Sequence, residues 1–432
     1  MSNPLIGVIG FVAALILIAF RVPIAVALGV VGALGFGVIN GFDVVGFVLG
    51  SGVFEAIFPY TLSVIPLFLL MGVVASRSGL STDLFGAANA AFGRFKGGLA
   101  IATIGACAGF GAICGSSMAT VATMGRVALP EMRAAGYDDR LSTASIAAAG
   151  TLGVLIPPSI LLVIYGLLTE QSIGKLFSAA ILPGVLSTAL YALAVVVQVR
   201  LNPKLAGSES YRSKQLSTGS QRRAFPVVML FIAVIGGIQV GIFSPTEAAA
   251  VGAGGAILIA LMRRALSRSV IGLIARETVE MTGVIFFIMI GAALFNVFLE
   301  TTGLPQFLVR LIEGAALDPV LILLIVIAFY IVLGCFMDAL SMILLTIPFV
   351  FPVILSLGYD PIWFGVIIVT VAELGLITPP IGMNLFIIQG VAGDLQSHTV
   401  MRGILPFIIA DIVRLAILIA VPQIVLWLPS YL

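Results

Sequence analysis

The chain has 432 residues, 61% of them apolar and 9% charged, with a mean hydropathy of +1.24 and a formal net charge of +2. Soluble domains carry about 25% charged residues, so this composition excludes a water-soluble globular protein and indicates a polytopic membrane protein in a lipid bilayer. One histidine, His398 in a polar loop, and three cysteines without zinc spacing (Cys107, Cys114, Cys335) supply no transition-metal or acid–base set at membrane depth, and nucleic acid is not an expected partner.

The first apolar run, Leu5 to Phe20, precedes the first basic residue, Arg21. That order argues against a cleavable signal and for an external N-terminus. Helices are expected near 4–20 and 22–40, then an interfacial stretch at 41–57, a helix near 59–76 and an amphipathic arm at 79–96. A small-residue segment follows at 98–128, interrupted by "GAICGSSMAT". A helix at 141–168 is broken by the prolines of "LGVLIPP", and a last helix spans 176–199. The stretch 200–223 holds six basic residues against one acidic, which makes it a cytoplasmic loop by the positive-inside rule.

Beyond it the order repeats. Helices are expected at 225–242 and 244–262, an interfacial stretch at 263–276, a helix at 278–299 and an arm at 303–317. A segment at 319–356, a helix at 362–390 broken by "LGLITPP" and a last helix near 403–428 complete the chain. At a constant offset of 222, Pro4 matches Pro226, Pro23 matches Pro245, Pro130 matches Pro352, and "GYD" at 136–138 matches "GYD" at 358–360. Pro157-Pro158 matches Pro379-Pro380 at the same offset. The halves therefore read as a duplication: repeat one over 1–200, a linker over 201–224 and repeat two over 225–432.

A full span needs about 20 apolar residues, and each leg of 98–128 and 319–356 is shorter. Both read as re-entrant hairpins, with tips at "GSS" (115–117) and "MDALS" (337–341). Five spans then separate them, which inverts one half relative to the other; 319–356 read instead as one span plus a loop would abolish the inversion, and charge alone does not decide between the two. The charges agree: Arg77, Arg94, Lys96, Arg126, Arg133, Arg140, Arg263, Arg264, Arg268 and Arg276 fall inside. Asp43, Glu55, Glu300, Glu313, Asp318 and Asp360 fall outside, with Lys175 and Arg310 as exceptions. The expected fold is thus an all-α polytopic membrane protein of two inverted-topology repeats, each with five spans, one of them broken, plus a re-entrant hairpin.

Proline lacks an N–H, so Pro157 and Pro158 leave the carbonyls of Gly153 and Val154 without helical partners, and the second break frees those of Gly375 and Leu376. Bare backbone at this depth persists only where it is buried in protein or lines a cavity. A cluster of carbonyls and hydroxyls suits a small hard cation such as Na⁺, and the half-helix after each break is expected to begin with proline in its first turn and offer its N-terminus to an anion. The tips add Gly115, Ser116 and Ser117 in the first half, and Asp338, aligned with Ser116, and Ser341 in the second. A carboxylate at membrane depth is a functional candidate. Glu373, Thr378 and Asn384 near the second break are further candidates, whereas Glu247 and Asp411 read as structural pairs or interfacial groups. No Lys or Arg falls in sequence at either tip or break, so a carboxylate substrate would be neutralised by co-bound cations and helix ends. An intramembrane serine hydrolase using Ser116 or Ser117 would need a base that no histidine supplies, so an enzyme is not expected. With no Walker motif, neither is ATP hydrolysis by this chain.

The stretch "GAICGSSMATVATMGRVALPEMRAAGYDDRLSTASIAAAGTLGVLIPPSILLVIYG" (111–166) resembles the large membrane subunit of the tripartite ATP-independent periplasmic (TRAP) transporters. So do "MDALSMILLTIPFVFPVILSLGYDP" and "ELGLITPPIGMNLFIIQG" in the second half. The resemblance implies a Na⁺-driven importer of organic acids such as C4-dicarboxylates or sialic acids, working by an elevator mechanism in the bacterial inner membrane. It implies two partners, a small four-helix membrane subunit and a periplasmic substrate-binding protein. It places sodium sites where tip meets break: Gly115, Ser116, Ser117, Gly153, Val154 and Ile156 in one half, and Asp338, Ala339, Gly375, Leu376 and Thr378 in the other. The implied substrate contacts are Ser116, Ser117, Pro157, Asp338, Ser341, Pro379 and Asn384. A stand-alone Na⁺/dicarboxylate symporter, needing no binding protein, is the alternative within this fold.

Overall fold

The computed structural model describes residues 3–207, 219–315 and 317–431, so residues 208–218 of the central loop lie outside the described part. Twenty α-helices run through the described residues, with no β-strand among them beyond one isolated bridge, Tyr137 to Ala206.

Nine helices form an outer set: α1 (Asn3–Ala19), α2 (Ile24–Asn40), α3 (Val45–Ile57), α4 (Val64–Arg77), the arm α5 (Leu80–Phe92), α11 (Gly219–Gln239), α12 (Pro245–Met262), α13 (Arg268–Thr302) and the arm α14 (Leu304–Ala315). Small residues let these backbones meet, as expected where lipid gives helices no hydrophobic reason to associate. A Cβ on Gly32 of α2 would lie 2.6 Å from the Phe295 nitrogen of α13, and one on Gly291 would lie 2.2 Å from Ala25 O. Val8, Val12 and Ile16, four apart on α1, are 41–50% exposed and give that helix an apolar outer face suited to lipid.

The inner set contains two helical hairpins and two interrupted helices. α6 (Gly98–Cys114) and α7 (Ser117–Ala134) turn at Gly115, where φ is +63°; α15 (Pro319–Gly334) and α16 (Ala339–Ser356) turn at 335–338. The interrupted helices are α8 (Asp139–Leu155) with α9 (Ile160–Leu168), bent by 41°, and α17 (Pro361–Ile377) with α18 (Met383–Ala392). α10 (Ile173–Leu201), α19 (Ser397–Ala420) and the short α20 (Gln423–Leu426) pack around them. α8 from Leu141 and α17 from Ile362 are buried on every side, which places them at the centre.

Each hairpin's two outer ends lie together. The Leu99 N–H at the start of α6 donates to the Tyr137 hydroxyl beyond α7 (3.3 Å). In the second half, burial and the neighbouring Asp318, at the start of α15, raise the pKa of Tyr359, just beyond α16. Hydrogen bonds between helix ends fall in two groups. One joins Arg77 to Glu277, Arg263 to Asp83, and Arg133 to both Asp139 and Asp394 (2.8 Å each). The other joins Tyr165 to the Pro361 carbonyl (2.6 Å) and Gln239 to Ser178 (2.6 Å).

Four expectations change. The stretch at 263–276, from Arg268 onward, and that at 278–299 form one 35-residue helix, α13, along which Arg276 pairs with Glu280 and Glu277 with Arg77. The second leg of the first hairpin continues to Ala134 instead of stopping at 128, carrying Pro130 inside it. The last helix ends at Ala420, before Pro422. The prolines do not open the half-helices. They lie in the linkers 156–159 and 378–382, each pair with a cis bond between its two prolines, while α9 is capped by Ser159 and α18 begins after Gly382.

Among the described residues seven helices are long and apolar enough to cross a membrane (α4 with its preceding turn, α10–α13, α16 and α19), or eight if α8 and α9 count as one bent span. α1 and α2, at 17 residues each, reach about 26 Å at 1.5 Å per residue.

Candidate functional site: two junctions of hairpin tip and helix break

In both halves the hairpin meets the interrupted helix through a pair of glycines. A Cβ on Gly111 would lie 2.4 Å from the Gly153 Cα, and one on Gly375 would lie 2.6 Å from the Gly334 Cα. Only glycine permits backbones this close, and the contact brings each tip against the linker of its break. Gly115 sits beside the Pro158 carbonyl, which a Cβ there would approach to 3.1 Å; Cys335 Sγ lies 4.0 Å from the Pro379 carbonyl.

At the first junction Ser116 caps α7, accepting from the Ala119 N–H (3.4 Å), and its own carbonyl faces Gly153. The Thr120 hydroxyl donates to that carbonyl (2.8 Å) and also borders Gly153. Thr120 was not anticipated, although its place one turn beyond Ser116 puts it on the same helix face. Ile156 closes α8 in an extended conformation, with Val154 and Pro157 buried beside it. The first junction therefore gathers carbonyl and hydroxyl oxygens from its tip and break.

At the second junction Asp338 occupies the capping position equivalent to Ser116. It accepts from the Ser341 N–H (3.1 Å) and the Ser341 hydroxyl (2.5 Å), and Ala339 begins α16. Thr378, equivalent to Ile156, ends α17 and donates its hydroxyl to the Leu374 carbonyl (2.6 Å). The Gly375 carbonyl is not bare, as the sequence had implied: it accepts the Thr378 N–H (3.2 Å). Leu376 is buried beside it, while Pro379 is half-buried, so this break is the more open of the two.

One contact ties the junctions together. The Asn384 amide, in the first turn of α18, donates to the Ser117 hydroxyl of the first tip (2.7 Å) and to the Ala147 carbonyl (3.1 Å). Both side chains are buried and engaged with each other. Ser117 thus faces an amide, not a base.

Glu373 leaves the junction group. It points to Arg414 of α19 (3.1 Å), which also reaches Asp411 (3.1 Å), and all three are buried. Sequence reading had found no arginine beside a break because Arg414 lies about forty residues downstream. The Asp411–Arg414 pair at i,i+3 on an apolar helix was its signal. Asp411 is paired with Arg414, and Glu247 forms a capping box with Ser244 at the start of α12.

Comparison with known proteins places the chain in a family. The family described as "Tripartite ATP-independent periplasmic transporter, DctM component" matches residues 11–424. The C4-dicarboxylate TRAP transporter large permease protein DctM of Pseudomonas aeruginosa is 38% identical over 385 residues, 89% of this chain and 90% of that protein. The sialic acid TRAP transporter permease protein SiaT of Haemophilus influenzae is 31% identical over 379 residues, 86% of this chain and 60% of that protein. Among solved structures, the Alcanivorax borkumensis YdaH transporter superposes with a TM-score of 0.63 at 16% identity, covering 88% of each chain, which is a likeness of fold alone. An all-helical membrane chain with paired tip-and-break junctions, matched along nearly its whole length, belongs to the DctM family, the large permease component of the TRAP transporters.

Proposed function

We propose that the chain is the permease subunit of a Na⁺-coupled secondary importer of organic acids, fed by a periplasmic substrate-binding protein and completed by a small four-helix membrane subunit. The observation that carries the reading is the pair of junctions. Each apposes a hairpin tip to the unwound linker of a broken helix, the arrangement in which secondary transporters hold ions and substrate. The oxygens around Gly153, with Gly115, Ser116, Ser117 and Thr120, make one sodium half-site. Asp338, Gly375 and Thr378 make the other.

The contacts between helix ends support inverted repeats. The first hairpin opens beside Arg133 and Asp394; the second opens beside Tyr359 and Pro361, where α9 ends. The charged group of ends then faces the cytoplasm, and the N-terminus faces the periplasm of the inner membrane. The division into outer helices and inner hairpins supports an elevator, in which the inner set carries substrate across a fixed outer frame. The relatives named for C4-dicarboxylates and sialic acid support a carboxylate substrate, and family membership favours dependence on a binding protein over a stand-alone symporter.

The test is uptake into proteoliposomes holding the chain with its small subunit and binding protein. Uptake is expected only under an inward sodium gradient. Equal uptake with potassium replacing sodium overturns the reading.

A further inference from the structure

Two residues before the glycine of each break stands a polar side chain that points into the neighbouring helices. Thr151 precedes Gly153 and Glu373 precedes Gly375, equivalent positions at the 222-residue offset. A continuous buried network joins them. The Thr151 hydroxyl lies 3.2 Å from the Tyr191 hydroxyl of α10, and Tyr191 donates to Asp411 Oδ2 of α19 (2.7 Å). Asp411 Oδ1 lies 3.1 Å from Arg414 Nη2, which also donates to Glu373 Oε2 (3.1 Å), while Arg414 Nη1 donates to Ser187 of α10. Every member is at most 1% exposed.

This arrangement is not what packing alone favours. Buried ion pairs contribute little net stability relative to apolar residues of similar size. Glu373 Oε1, Asp411 Oδ1 and Arg414 Nε also lack hydrogen-bond partners among the described residues, Asp411 Oδ1 meeting Arg414 only as an ion pair. In this low-dielectric setting each unpaired polar atom is costly, so a shift at one end that changes a pairing is felt along the network. Its two ends are the helical turns that present the carbonyls of Gly153 and Gly375.

We propose that Tyr191, Asp411 and Arg414 are positioning residues that couple the two sodium half-sites. A cation that draws in the oxygens around Gly153 shifts Thr151 and the network, and presets the turn at Glu373 for a cation at Gly375. By linkage the second site acts on the first to the same extent. The inference rests on the sodium reading above.

Equilibrium sodium binding and sodium-dependent thermal stability of the purified complex test it, with uptake measured alongside; the Hill coefficient is read from binding, because uptake that needs both ions is sigmoidal even for independent sites. In the wild type the Hill coefficient for sodium is expected above 1. Tyr191→Phe removes one hydroxyl from the network and keeps the ring packed edge-on against Phe407. It is expected to bring the coefficient to 1 and raise half-saturating sodium about fivefold, the low end of ordinary coupling between sites, with the maximal rate retained. Thr151→Val, which keeps the side-chain shape, gives the same readout should Tyr191→Phe not fold. A wild-type coefficient above 1 that survives in both variants, or a loss of stability equal at all sodium concentrations, overturns the coupling while leaving the sodium reading intact. Uptake independent of sodium in the wild type overturns both.

Discussion

A single methyl group is the sharpest probe of the junctions. A Cβ at Gly153 would lie 2.7 Å from Thr120 Oγ1, 3.1 Å from the Gly111 Cα and 3.2 Å from the Ser116 carbonyl. Two of those neighbours are backbone and do not swing aside, so Gly153→Ala wedges tip from break at about 1–3 kcal/mol. Sodium-dependent uptake is expected to fall by about tenfold or more, with the protein still inserted; unchanged uptake would show that the close contact is not part of the site. At the surface, the hydrogen bond from Arg133 holds the exposed Asp394 carboxyl below the usual carboxylate range. Its stabilising contribution is present above the ordinary carboxylate pKa and is lost as pH falls through the lowered value. Asp394→Asn should therefore flatten the acid side of the melting-temperature profile and leave the neutral side nearly level, read by thermal unfolding from pH 7 downward.

At the level of elements, composition and proline spacing read well and pairing read poorly. The tips, the breaks and most helix bounds were legible because glycine, proline and apolar run length act locally. α13 is one helix where the sequence suggests two stretches: Arg276, Glu277 and Glu280 interrupt the apolar run, and one of their partners, Arg77, lies 200 residues away. Asn384 and Ser117 were both legible as candidates, but their bond across 267 residues was not. The cluster at Arg414 was missed for the same reason: its charge balance exists only once α17 and α19 are packed. Arg414→Ala would leave Glu373 and Asp411 buried without a cation, at about 3–5 kcal/mol. Loss of folded protein is expected on size-exclusion chromatography. The neutral triple variant Glu373→Gln, Asp411→Asn, Arg414→Gln is expected to recover most of it, because no charge is then stranded; failure to recover would mean that the pairing geometry itself holds the fold.

Across the whole molecule, the duplication seen at a 222-residue offset is matched by equivalent local structure: Ser116 and Asp338 cap the second legs, Ile156 and Thr378 end the central helices, and Gly–Gly contacts seat both tips. The copies are not chemically identical. The first junction is more buried and gathers carbonyl and hydroxyl oxygens, while the second carries the carboxylate of Asp338 and a more open linker. On the proposed reading, the two unlike junctions hold ions and an anionic substrate together, with the substrate held only when the cations are present. Binding of radiolabelled sodium to the purified complex at saturation tests this most directly. Specific binding that potassium does not compete is expected in the wild type, partial loss in Asp338→Ala, and near-complete loss when Gly153→Ala is added. Sodium binding unchanged in the double variant would contradict the assignment of the ions to these junctions.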